Sequence, residues 1–167
     1  EEQGGPIAEG FLRRIGAPNI FLERVIPLVT NHLAHLQEQT DRSVRRLAKR
    51  LEPETILGLT LVMTADHMGR PPKPAVVPPG VITLREKAAE LHVQQSAPKK
   101  ILLGRHLLEL GMKPSAAMGR IVDSAYDAQL EGKFLDLKEA LKWLAGQRTE
   151  IVPSEVHAAL RERMDGR

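Results

Sequence analysis

The chain contains no cysteine, which excludes a disulfide scaffold and a cysteine-ligated zinc site and points to a reducing, cytoplasmic setting. Aromatic side chains are scarce: Phe11, Phe21, Tyr126, Phe134 and Trp143 are the only five in 167 residues. That is too few for the stacking platforms of RNA-binding sheets or single-strand-binding barrels. Any nucleic-acid contact must therefore work through charge or shape. Long hydrophobic runs are missing as well. The longest candidate, Thr55 to Ala65, has Gly58 and two threonines inside it, well short of the roughly 20 apolar residues of a membrane-spanning helix. No membrane partner is expected, and no basic-then-apolar stretch marks a secretory signal. Catalytic signatures are absent: there is no Gly-x-Ser-x-Gly elbow, no Walker-type Gly-Lys-Ser/Thr, no His-Glu-x-x-His and no Asp-x-Asp pair, so no complete active site is expected. The start, Glu1-Glu2-Gln3-Gly4-Gly5-Pro6, has no initiator methionine and reads as the interior of a longer chain.

What is present is helical in pattern. The chain is 42% apolar and 27% charged, and Leu, Ala, Arg, Lys and Glu recur at spacings of three and four, which predicts an all-α multi-helix bundle. Pro6 suits a first helical turn, with Ile7, Phe11, Leu12 and Ile15 as one inward face before Gly16. A second helix is expected from Asn19, as N-cap, to Leu36, kinked or restarted at Pro27. Asp41 can cap a basic helix with Val44, Leu47, Ala48 and Leu51 inward. Pro53 opens a helix from Ile56 to Gly69 that is apolar almost all round and hence expected to be central. Residues 70–80 hold five prolines and a glycine and read as a stiff, extended connector. Further helices are expected over 83–95, 104–110, 114–130 and 136–145, with a last one from Pro153 to near Met164.

The modest net charge of +3 is unevenly spread. Residues 98–121 carry Lys99, Lys100, Arg105, Lys113 and Arg120 against Glu109 alone, a balance of +4, whereas residues 122–167 are net acidic. The basic stretch coincides with two expected helix starts, near Gly104 and Pro114, where free N–H groups and the helix dipole favour anions. A phosphate-bearing partner is one reading, an ordinary solvated face the other. Histidine and carboxylate placement is weaker evidence. His32 and His35 stand three apart on an expected helix, and Asp66 precedes His67 at the end of the apolar helix. Such residues can build a divalent-metal site, but a backbone-bonded His32 and an Asp66–Arg70 pair at i, i+4 account for them more simply.

The run Gly104-Arg105-His106-Leu107-Leu108-Glu109-Leu110-Gly111-Met112-Lys113-Pro114, with Met118-Gly119-Arg120-Ile121-Val122 and Tyr126 to Phe134, resembles the C-terminal region of bacterial tRNA nucleotidyltransferases. These are the CCA-adding enzymes and their poly(A) polymerase relatives with an HD-type phosphohydrolase domain. Phe11 to Pro18, Pro27-Leu28-Val29 with His32, and Ala65 to Arg70 look like the second half of that HD domain. The resemblance spans about residues 1 to 145. It implies residues 1–70 as the distal half of an HD-like domain, 71–81 as a proline-rich linker and 82–167 as an RNA-holding helical tail. By resemblance Asp66 matches the last HD-site aspartate and His32 is a further metal ligand. No His-Asp doublet occurs in this chain, and the catalytic head, with its paired aspartates, is missing.

The expected role is thus to hold RNA, above all tRNA, through Lys99, Lys100, Arg105, Lys113 and Arg120, with Arg42, Arg45, Arg46, Lys49 and Arg50 as a second contact or, more simply, a solvated helix face. Nucleotides would be handled by the missing head. No cofactor is expected on this segment itself; a divalent metal would belong to the full-length enzyme. Two alternatives stand beside this reading: part of an HD-type metal-dependent phosphohydrolase, and a helical interaction or dimerisation module whose partner is a second copy.

Overall fold

A computed structural model describes residues 4–72, 74–148 and 151–165. Among the described residues all regular structure is helical, as the spacing of apolar side chains requires, and no helix is long and apolar enough to cross a membrane. Glu1 to Gln3, at the start of the chain, lie outside the described residues. The chain divides into two compact units, Glu1–Pro98 and Lys99–Arg167.

In the first unit α1 (Gly4–Arg14) and α2 (Asn19–Asn31) form an antiparallel hairpin. Gly4 stands against Val29, and a Cβ on Gly5 would lie 2.9 Å from the Thr30 hydroxyl. Glycine therefore allows the two helices their close approach. This orients α1 differently from the pattern's expectation: Gly5 is buried, while Ile7, Phe11 and Ile15 face outward. Asn19 is the first helical residue rather than the cap, which is Pro18. The helix continues through Pro27 but stops at Asn31, whose side chain donates to the Pro27 carbonyl at 2.8 Å. A 3-10 turn, Ala34–Leu36, follows.

Helix α3 (Asp41–Leu51) is capped by Thr40, not Asp41. The Thr40 hydroxyl accepts the Ser43 N–H at 3.1 Å, a cap of the kind that stabilises by about 1 kcal/mol. Asp41 is thereby left to reach α5, where Lys87 Nζ lies 2.6 Å away. The Lys87 hydrogen bond holds the Asp41 carboxyl below its ordinary range, and Asp41 followed by Glu90 raises the Lys87 ammonium. What the pair adds to stability is lost as pH falls through the lowered Asp41 value, or rises through the raised Lys87 value.

Thr55 caps α4 (Ile56–Met68) by accepting the Gly58 N–H at 3.0 Å. Ile56, Leu59, Thr60 and Met63 are buried, but the helix is not enclosed on every side as its composition predicts. Leu57, Leu61 and Met68 form an uncovered stripe, with Leu61 60% exposed.

The proline-rich segment is not where the chain divides. Helix α5 (Pro79–Glu90) begins four residues before Thr83, with Pro79 in its first turn, where a missing N–H costs nothing. Its Val81, Leu84 and Ala88, with Val93 and Ala97 beyond, complete the core formed by Val44, Leu47, Leu51, Ile56, Leu59 and Met63. Residues 71–81 therefore turn the chain inside the first unit, and the boundary falls after Pro98. Lys73 lies outside the described residues. Gly80 sits directly against the His35 backbone carbonyl, and Gln39 Nε2 donates to the Gly80 carbonyl at 2.8 Å.

The second unit contains α6 (Gly104–Glu109), α7 (Ala116–Leu130), α8 (Leu137–Ala145) and α9 (Ser154–Asp165). Its core unites Leu102, Leu107, Leu110, Met112, Ile121, Ala125, Phe134, Ala140, Leu144, Val152, Val156 and Leu160. Phe134 packs against Trp143 with ring centroids 5.7 Å apart. Asp136 caps α8, its carboxylate accepting the Glu139 N–H at 2.8 Å.

Candidate nucleic-acid interface

The five basic residues singled out by sequence, Lys99, Lys100, Arg105, Lys113 and Arg120, are all exposed and all belong to the second unit. Their backbone positions are fixed by neutral groups. Buried Gln129 on α7 donates through Nε2 to the Lys99 carbonyl at 2.8 Å and accepts the Ile101 N–H on Oε1 at 3.0 Å. This two-sided amide clamp ties the segment bearing Lys99 and Lys100 to α7. Nothing in the charge pattern marks Gln129; its only sequence signal is a polar residue on the inward face of an apolar helix.

Helix α6 starts after Leu103, which has no side-chain oxygen with which to cap it. His106, three residues on, reaches back instead. Its Nδ1 accepts the Leu103 N–H at 3.1 Å, the part that Glu or Gln plays in a capping box. Buried Leu107 and Met112 anchor the other end. Gly111 at φ +83° closes α6, its N–H donating to the Leu108 carbonyl at 2.9 Å while the Met112 N–H donates to that of Leu107 at 3.0 Å. Gly111 adopts this left-handed conformation without the Cβ penalty, and the turn delivers Lys113 to the approach of α7.

The basic residues sit a little differently from the expected helix starts. Helix α7 begins at Ala116 with Ser115 as N-cap, and the Ser115 side chain makes no capping hydrogen bond. Lys113 lies two residues before that cap, and Arg120 lies in the second turn rather than at the start. Electrostatically the five are not equivalent. Lys100 Nζ pairs with Asp123 at 2.7 Å and lies over the Tyr126 ring, 5.4 Å from its centroid, so part of its charge is already answered. Arg105 Nε stands 3.3 Å from His106 Nε2. Lys99, Lys113 and Arg120 have no ion-pair partner among the described residues.

The second basic group lies in the first unit. Arg45 approaches Asp41 at 3.9 Å, Lys49 pairs with Glu52, and Arg50 Nε donates to the Asn31 side chain at 3.3 Å. Arg42 and Arg46 are engaged as well. Arg45, Lys49 and Arg50 are thus answered by residues of their own unit.

The residues considered for a metal also have local partners. His32 caps the end of α2 and its Nδ1–H donates to the Val29 carbonyl at 2.7 Å, while His35, in the 3-10 turn, bonds the His32 carbonyl at 3.2 Å. They do not share a helix face, because α2 ends before either. Asp66 binds Arg70 at 2.6 Å, the i, i+4 pair that its position suggests. Among the described residues no three histidine or carboxylate side chains converge on a common point. Asp66 and His32 alone fall short of a metal-ligand set.

No family model, curated protein or solved structure matches the chain.

Proposed function

We propose that the second unit holds RNA, tRNA above all, by its phosphate backbone, as the C-terminal holding region of a nucleotidyltransferase of the CCA-adding or poly(A) polymerase kind. The observation that carries this reading is the set of exposed cations without ion pairs among the described residues, Lys99, Lys113 and Arg120, on a unit whose α7 start lacks a side-chain cap. Backbone contact of this sort needs no aromatic platform, and duplex RNA is gripped through phosphates and shape. A salt titration of tRNA binding tests it. Each phosphate neutralised contributes a log–log slope of roughly −0.7 to −0.9, so the double variant Lys113→Glu, Arg120→Glu is expected to flatten the slope by about 1.5. Salt-independent binding, or a slope unmoved by the reversals, would end this reading.

A second reading, a self-association module, is favoured by the uncovered apolar stripes in the first unit: Leu57, Leu61 and Met68 on α4, and Ile7 and Phe11 on α1 with Ile15 just past its end. Contiguous exposed apolar faces can mark interaction surfaces. It predicts a mass that rises with concentration in sedimentation, lowered to the monomer by Leu61→Glu, and no affinity for RNA.

A further inference from the structure

Between α2, the 3-10 turn and the last turn of α3 the first unit has a cleft of about 540 Å³. Small-molecule sites run from roughly 300 to 1,000 Å³ and are mostly apolar with a few placed polar groups. The apolar walls here are Ile26, Pro27 and Ala34, and Ala34 is backed by the core of the unit. Among the described residues Arg50 is the only charged one that lines the cleft.

That cation is held without being neutralised. Asn31 Oδ1 accepts the Arg50 Nε–H at 3.3 Å while its Nδ2 donates to the Pro27 carbonyl at 2.8 Å, the one orientation of the amide that suits both neighbours. Asn31 therefore answers one N–H of Arg50 and none of its charge. Arg50 has no carboxylate partner among the described residues; Glu38, which borders a narrow recess beside the cleft, does not pair with it. Both terminal nitrogens of the guanidinium remain as a planar fork. Such a fork in an apolar cleft selects two features in a ligand. A planar oxyanion accepts from both nitrogens at once, and an apolar body covers the walls. One cation also matches one negative charge, which favours a carboxylate over a phosphate monoester carrying nearly two.

We propose that this cleft binds a small monocarboxylate with an apolar body, its carboxylate on the Arg50 fork and its body against Ile26, Pro27 and Ala34. Asn31 is the positioning residue that fixes the guanidinium before the ligand arrives. The site belongs to the first unit and does not depend on the RNA-holding reading of the second.

The test uses the full chain with naphthoate as probe, followed by NMR of the Asn31 side-chain amide and the Ala34 backbone amide. Naphthamide keeps the apolar body and lacks the charge, and acetate keeps the charge and lacks the body. Each should bind at least about tenfold more weakly than naphthoate. Arg50→Gln retains N–H donors without the charge and should weaken naphthoate at least about tenfold. Arg50→Lys, with the charge but not the fork, should fall between that variant and the parent. Arg42→Gln, on the same helix but outside the cleft, should bind as the parent does. Arg50 is exposed, so circular dichroism of its variants should match the parent. Naphthoate that does not bind the parent, or binds Arg50→Gln equally well, would overturn the site. Acetate as strong as naphthoate would do so too, by marking a bare surface cation, and naphthamide as strong as naphthoate would show that the guanidinium recognises nothing. A tRNA salt slope unaltered in Arg50→Gln is expected beside the loss of naphthoate; a flattened slope would make Arg50 an RNA contact and overturn the separate site.

Discussion

Replacing Gly80 by alanine is expected to destabilise the first unit by about 2–3 kcal/mol, against the usual direction of a helical Gly→Ala change. Alanine in a helix interior is normally favoured over glycine by roughly 0.5–1 kcal/mol, and Gly80 lies in α5 with no left-handed φ to protect. The close approach decides the sign. A Cβ at this position would run into the His35 carbonyl oxygen and stand 3.3 Å from its carbon. Both are backbone atoms that cannot rotate away, so either α5 or the turn after α2 must move, and overpacking of this kind costs about 1–3 kcal/mol or more. Gly10 supplies the control within the same unit: a Cβ there, on α1, would meet nothing within 4 Å, so Gly10→Ala should stabilise by a few tenths to about 1 kcal/mol. Urea denaturation followed by far-UV circular dichroism measures both. Gly80→Ala matching or exceeding the parent in stability would show that α5 does not lie against the turn.

Phe134→Ala is expected to cost the second unit about 3–5 kcal/mol, the range for removing a buried phenylalanine and leaving its cavity. Phe134 is 1% exposed in a core that draws on α6, α7, α8 and α9, and small domains have only about 5–15 kcal/mol in total. Trp143, the lone tryptophan, packs against the phenylalanine ring, so its fluorescence reports this unit's unfolding midpoint directly. A loss below about 1 kcal/mol would mean that Phe134 does not fill this core.

Much of the fold was legible because local signals agreed. Helix α3 is inward at Val44, Leu47, Ala48 and Leu51 as its spacing requires, and Asp136 caps α8 through an oxygen of the expected kind. Misreadings arose where one residue served two descriptions. Pro79 looked like the end of a connector but is equally at home in a first helical turn, and this placed the division of the chain too early. Helix α1 has apolar residues on two sides, and its packing followed Gly5, which permits the closest approach, rather than the bulkier Ile7 and Phe11. The periodic pattern of α2 ran on to Leu36, yet Asn31 bonds back to Pro27 and the helix gives way to a tighter turn.

The candidate site was legible only in its charges. A count of cations finds Lys99, Arg105, Lys113 and Arg120 but cannot find what holds them, because a clamp made by Gln129 and a cap made by His106 depend on contacts that charge does not encode. It also cannot distinguish a cation already answered, Lys100 beside Asp123, from one without a partner.

The Gln129 clamp bears on the entropy of any encounter with this face. Fixing the backbone of a residue costs roughly 1–2 kcal/mol, and a loose basic segment would meet that cost on each binding event. Here the backbone from Lys99 to Ile101 is ordered by folding, leaving chiefly side-chain freedom to be given up. A neutral amide achieves this without cancelling any of the positive charge it positions. The backbone that bears Lys99 and Lys100 is thus tied through Gln129 to the helix that carries Arg120, an arrangement set in advance of the ligand.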